Sequence, residues 1–136
     1  MTAELGIVDQ VTFWGQHLDV APFFSAADAF IMSSKSEGLP VSLLEAFSLG
    51  LPAIVTDVGG MAEVVRLAEA GLIVPAADSA EMAAAILRLA SNDAERERSS
   101  MNGEAAFHAQ FTLQTMADAY MELYRDTRRA RRAAGG

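Results

Sequence analysis

Residues 29–60 read AFIMSSKSEGLPVSLLEAFSLGLPAIVTDVGG, and they contain two strand–turn–helix units in a row. Ala29–Met32 is a short apolar run of strand length, and a polar turn, Ser33–Leu39, follows it. Pro40–Leu49 reads as a helix with Gly50 as its C-terminal stop. Ala53–Thr56 is a second apolar run, closed by the turn Asp57–Gly60, and Met61–Leu67 reads as the next helix. Strands that alternate with helices predict an α/β fold, a parallel sheet with helices on both faces. In such sheets ligands bind beyond the carboxyl ends of the strands. That rule singles out Ser33–Pro40 and Asp57–Gly60 before any other consideration.

Working outward, Val11–Trp14 reads as a strand ended by Gly15, and Val20–Ala27 as a short helix. Leu72–Val74 is a further strand, which gives about four in all. Ser79 is placed to cap a helix running to about Ala90, whose Met82, Ile86 and Leu89 share one face. Asp93 starts a helix toward His108. Thr112 caps a last helix in which Leu113, Met116, Ala117, Tyr120 and Tyr124 follow the amphipathic spacing.

Bulk properties narrow the function. The chain has 136 residues, half of them hydrophobic, enough for one domain with a modest core. It has no cysteine, so neither a disulfide framework nor a thiolate metal site is available. The formal charge of −8 argues against a nucleic-acid partner. The first residues lack the blocks of a signal peptide, and no apolar run reaches the roughly 18 residues of a membrane span. The expected location is cytoplasmic. Arg125, Arg128, Arg129, Arg131 and Arg132 are five of the ten cations. They read either as a solvated helix end that complements the helix dipole or as a peripheral contact with an anionic membrane face. His17 and His108 share no metal-ligand spacing, and Trp14 reads as packing.

The chemistry concentrates in Ser33–Phe47. Gly38 permits close backbone approach to a ligand. Pro40 suits the first helical position. A helix N-terminus after such a turn is an anion site, although an ordinary strand-to-helix turn has the same look. Glu45 has apolar neighbours, Leu43, Leu44, Ala46 and Phe47, so it is expected to be buried, and a buried carboxylate needs a partner. Ligand hydroxyls, as on a ribose, can serve, and so can a structural ion pair. Glu45 lies about 7.5 Å along the helix axis from Pro40, roughly the span from a ribose across a diphosphate to a sugar, which Glu37 in the turn can reach. Lys35 stands near the same anion site. The glycine pair in Asp57–Gly60 allows either close ligand approach or a tight loop, and Asp57 reads as a turn or cap residue rather than an acid.

The spacing of Glu37 and Glu45 is the E-x7-E motif. With VTFWG, AADAFIMSSKSEGLPVSLLEAFSLGLPAIVTDVGGMAEVV, GLIVP and FTLQTMADAYMELYRD in order, the chain resembles family four retaining glycosyltransferases of the GT-B fold over about residues 5–126. The resemblance implies a partial Rossmann-like sheet, the second half of the C-terminal domain, with residues 127–136 as a basic, frayed tail. It implies transfer of a sugar from a nucleotide diphosphate sugar to an acceptor. Glu37, the candidate catalytic residue, is expected on donor sugar hydroxyls and Glu45 on the ribose. The backbone around Gly38 and Leu39 is expected to face sugar and diphosphate. No metal or other cofactor is implied.

Two departures matter. Where the common turn is Glu-Gly-Phe-Gly, this chain has Glu37-Gly38-Leu39-Pro40, and Pro40 has no N–H to offer. The family's N-terminal domain, and the first strands of the C-terminal domain with their basic diphosphate clamp, have no counterpart in the chain. The expectation is a chain inactive alone, with the missing domain as its partner. The resemblance also implies that Ala29–Met32 loses its sheet neighbour. Either Val11–Trp14 moves in beside it, or two chains associate edge to edge. Two other readings stand beside the enzyme part: a non-catalytic module that binds a nucleotide sugar or a partner chain, and an epimerase-like GT-B protein.

Overall fold

The computed structural model describes residues 1–134. Three parallel strands form its sheet: β1 (Phe30–Met32), β2 (Ala53–Thr56) and β3 (Gly71–Val74), in the order β1-β2-β3. Ile31 pairs with Ile54, and Val55 with Ile73. The helices are α1 (Ala21–Ser25), α2 (Val41–Ser48), α3 (Gly59–Ala68), α4 (Ser79–Ser91), α5 (Asp93–Gln110) and α6 (Leu113–Ala134). The alternation read from the sequence is therefore present, with one strand fewer.

The pleat of β2 divides the core. Ala53 and Val55 face Leu43 and Phe47 of α2, Met61 and Val65 of α3, and Ala70. Ile54 faces the opposite side, with Val74 and with Ala85 and Leu89 of α4. All four residues of β2 are buried, as expected for a central parallel strand covered on both faces.

Val11–Trp14 is not a strand. Among the described residues it has no ladder partner, and Phe13 and Trp14 are largely exposed. A short extended run gains nothing until it hydrogen-bonds to a neighbour. This one is held locally instead. Trp14 packs edge-on against Phe23 of α1, with centroids 5.2 Å apart. The His17 ring nitrogen bonds the Trp14 carbonyl at 2.8 Å. The segment does not pair with β1, which among the described residues remains an edge strand.

Helix ends show smaller corrections. Pro40 occupies the N-cap of α2 with extended backbone, one residue before the position expected for it. Asp78, rather than Ser79, caps α4 by accepting from the N–H groups of Ala80 and Glu81 at 3.1 and 3.0 Å. Asn92 caps α5. Thr112 does cap α6, accepting from the Thr115 N–H at 3.1 Å. That helix continues through residues 127–134, expected as a tail; residues 135–136 lie outside the described residues.

Candidate functional site

The turn after β1 and the turn after β2 meet at the carboxyl end of the sheet. The first carries Ser33 to Leu39 and leads into α2, which no side chain caps. The Leu43 N–H is taken by the Pro40 carbonyl at 3.2 Å, which leaves the N–H groups of Val41 and Ser42 to face an anion, and the helix dipole favours negative charge there. The second turn, Asp57 to Val58, leads into α3 at Gly59.

The glycines explain how closely the turns meet. Gly59 has φ of 54°, and a Cβ there would overlap the Glu37 carbonyl oxygen. The Met61 N–H donates to the Gly38 carbonyl at 3.0 Å. The glycine pair thus receives the backbone of the Glu37 turn, the tight-loop reading of the two open from sequence. Thr56, at the end of β2 and 2% exposed, donates its hydroxyl to the Ser34 carbonyl at 2.6 Å. Sequence reading gave Thr56 no role, because the contact spans 22 residues.

Lys35, Glu37, Gly38 and Leu39 are all exposed on this clamped turn. The Ser34 hydroxyl reaches the Glu37 carboxylate at 3.5 Å, a long contact. Glu45 is exposed rather than buried. Leu43, Ala46 and Phe47 form the buried face of α2, and Glu45 stands about 200° around the helix from Leu43 at 100° per residue. The desolvation argument for a partner therefore fails. Among the described residues no side chain pairs with its carboxylate, so it is free to accept hydrogen bonds. Glu37 and Glu45 lie at the start and one turn inside the same loop–helix unit, at the strand ends where α/β sheets take ligands.

Asp57 forms an exposed ion pair with Arg66 at 3.1 Å, not a cap. A cleft of about 420 Å³ beside the site is lined by Ser33, Thr56, Asp78, Ser79, Met82 and Ile86. Far from the site, His108 approaches Glu104 at 4.0 Å. Among the described residues no group of three or more His, Asp or Glu is placed to hold a metal. Among the described residues no helix is long and apolar enough to cross a membrane.

The sequence reading also missed Glu95. It is 8% exposed and paired with Arg88 at 2.6 and 3.0 Å. The Arg88 hydrogen bonds hold its carboxyl below the ordinary range, outweighing the opposing effect of burial. This pair joins α4 to α5 and is structural.

Comparison with known proteins agrees with this geometry. The family model described as "Glycosyl transferases group 1" matches residues 1–92. A lipopolysaccharide core biosynthesis glycosyltransferase, LpsD of Rhizobium meliloti, is 35% identical over 124 residues, 91% of this chain and 36% of that protein. Sucrose-phosphate synthase from Thermosynechococcus elongatus superposes with a TM-score of 0.86 at 32% identity, over 95% of this chain and 33% of that one. HepE of Anabaena, solved in complex with UDP-glucose, shares the fold with a TM-score of 0.85 at 22% identity, over 92% of this chain and 35% of that one. The chain spans about a third of the length of these relatives. An ordered set of strand–turn–helix units, the Glu37–Glu45 spacing and these matches lead to one conclusion: the chain belongs to the group 1 glycosyl transferases, as part of the C-terminal domain of the GT-B fold.

Proposed function

We propose that this chain forms the donor side of a retaining glycosyltransferase that moves a sugar from a nucleotide diphosphate sugar to an acceptor. The observation that carries the reading is the pair of exposed carboxylates on one loop–helix unit. Glu37 projects from the clamped turn, and Glu45 sits one turn inside α2 with no protein partner among the described residues. Between them lies an uncapped helix N-terminus. A diphosphate at that end meets free N–H groups and the positive end of the dipole. Gly38 and Leu39 supply the backbone beside it, and Lys35 supplies a cation. Glu45 then accepts from ribose hydroxyls and Glu37 from sugar hydroxyls.

In the reaction the bond between the anomeric carbon and the diphosphate oxygen breaks, and the nucleotide diphosphate leaves with the bonding pair. The acceptor oxygen forms the new bond and passes its proton to the departing diphosphate oxygen. Charge that develops on the leaving diphosphate is what the α2 N-terminus and Lys35 are placed to stabilise. UDP-glucose bound to a protein of this fold is consistent with a nucleotide diphosphate sugar here. Calorimetry of the full-length protein with a panel of nucleotide diphosphates tests the donor class, and the absence of binding by every member would sink it. Proton NMR of the product then reads the anomeric configuration, and an inverted product removes the retaining mechanism.

A further inference from the structure

We propose that Thr56 is a positioning residue for the Glu37 turn: its hydroxyl sets the height at which that carboxylate is presented to the donor. This rests on the reading of Glu37 as the sugar-side carboxylate. Thr56 closes β2, the central strand, and is itself almost fully buried. A buried hydroxyl costs stability unless it is bonded, and this one donates to the Ser34 carbonyl at 2.6 Å. Ser34 is where the turn leaves β1. The far end of the turn is held by the Met61 N–H on the Gly38 carbonyl at 3.0 Å. Between the two, the Gly59 Cα lies against the Glu37 carbonyl.

The turn is thus fixed from below at both ends and in its middle by the neighbouring β–α unit. Lys35 and Glu37 are exposed on it, and among the described residues the one side-chain contact within the turn is the long Ser34–Glu37 approach at 3.5 Å. Of the three contacts, two are made by backbone and only Thr56 contributes a side chain. Glu45 is held differently, by α2 packing on the core through Leu43 and Phe47. Loosening the Thr56 contact should therefore move Glu37 and leave Glu45 in place.

The test compares Thr56→Val, which keeps shape and removes the hydroxyl, with Thr56→Ser, which keeps the hydroxyl. Both are made in the full-length protein. Release of nucleotide diphosphate from the sugar donor, Kd for the free nucleotide diphosphate, and exchange of the Met61 amide that donates to the Gly38 carbonyl are measured. Thr56→Val is expected to slow release about tenfold while Kd stays within about twofold, because misplacing a contact group costs rate more than affinity for the part it does not touch. Exchange at the Met61 amide, which donates to the Gly38 carbonyl, should accelerate, and Thr56→Ser should restore both. Unchanged release and exchange in Thr56→Val would overturn the proposal. So would a parallel loss of nucleotide affinity, which would make Thr56 a ligand contact or a general stabiliser. If Thr56→Val fails to fold, Thr56→Cys replaces it, and exchange identical to that of Thr56→Ser counts against the proposal. Wild-type protein that binds no nucleotide diphosphate removes the donor-site reading itself. The exchange arm needs no ligand and separates that failure from failure of the clamp.

Discussion

At the scale of single residues, the proposed division of labour between the two carboxylates is measurable. Glu45→Ala should weaken nucleotide diphosphate binding by about 1.5–3 kcal/mol, the worth of a charged hydrogen-bonding group. Glu37→Ala should slow turnover with the sugar donor and leave free nucleotide diphosphate binding nearly intact. Calorimetry with both ligands separates the two, and equal losses for the nucleotide would remove the division. Both residues were legible in the sequence, because a loop followed by a helix is local and a spacing of eight is read directly. The environment of Glu45 was misread for a physical reason. Its sequence neighbours are apolar, but helix phase, not adjacency, decides burial, and Leu43, Ala46 and Phe47 share the face that Glu45 opposes. Thr56 was beyond sequence reading altogether, since nothing local announces a partner 22 residues away.

At the scale of elements, α5 carries two features that test how the helices are fixed. Gly103 stands in mid-helix, where glycine costs about 1 kcal/mol against alanine. The packing explains it: a Cβ there would meet the Phe47 ring at 3.0 Å and the Ala70 methyl at 3.4 Å. Gly103→Ala should therefore destabilise by about 1 kcal/mol net, overpacking of about 1–3 kcal/mol offset by helix propensity. Urea denaturation gives the number, and a stabilised variant would show that α2 and α5 can separate freely. Glu95 sets a pH dependence. Its carboxyl is lowered in the folded state, chiefly by the Arg88 hydrogen bonds. Its contribution is therefore full above the unfolded-state value of about 4.3 and lost as pH falls through the lower folded value. Thermal melts of wild type and Glu95→Gln should differ most near neutral pH and converge in acid. A gap that widens in acid contradicts the assignment. The elements themselves were mostly legible, since β2 is found at its expected bounds, α5 and α6 start where expected and α4 starts one residue early. Val11–Trp14 was not, because a strand is a property of two segments, and the composition of one cannot supply the other.

At the scale of the molecule, the chain covers about a third of its relatives, and two expectations concern it when expressed alone. It should release no nucleotide diphosphate from sugar donors, because positioning of two substrates supplies much of such catalysis and the proposed site accounts for the donor alone. Release by protein free of host enzymes would contradict this. The second expectation is self-association. The Phe30 N–H bonds the Pro52 carbonyl at 2.9 Å, so Ile31, the alternate residue, turns its N–H and C=O to the open edge of β1. The Ile31 side chain is 45% exposed. It borders a groove of about 360 Å³ lined by Ala29, Ile54, Ile86 and Leu89, with Asp28 and Arg96 also in its lining. An open, apolar edge of this kind is a template for another strand, and Val11–Trp14 does not cover it. The chain should elute as dimers or larger species in size-exclusion chromatography with light scattering, increasingly so with concentration. Ile31→Lys places a charge on that edge, the means by which natural sheets block edge pairing, and should shift the population toward monomer. A wild-type chain that is monomeric at all concentrations, with a sharp cooperative melt, would mean that three strands suffice and the open edge is tolerated in water. An Ile31→Lys chain that associates as strongly as wild type would move the contact elsewhere, to the exposed Leu113, Met116, Tyr120 and Tyr124 of α6.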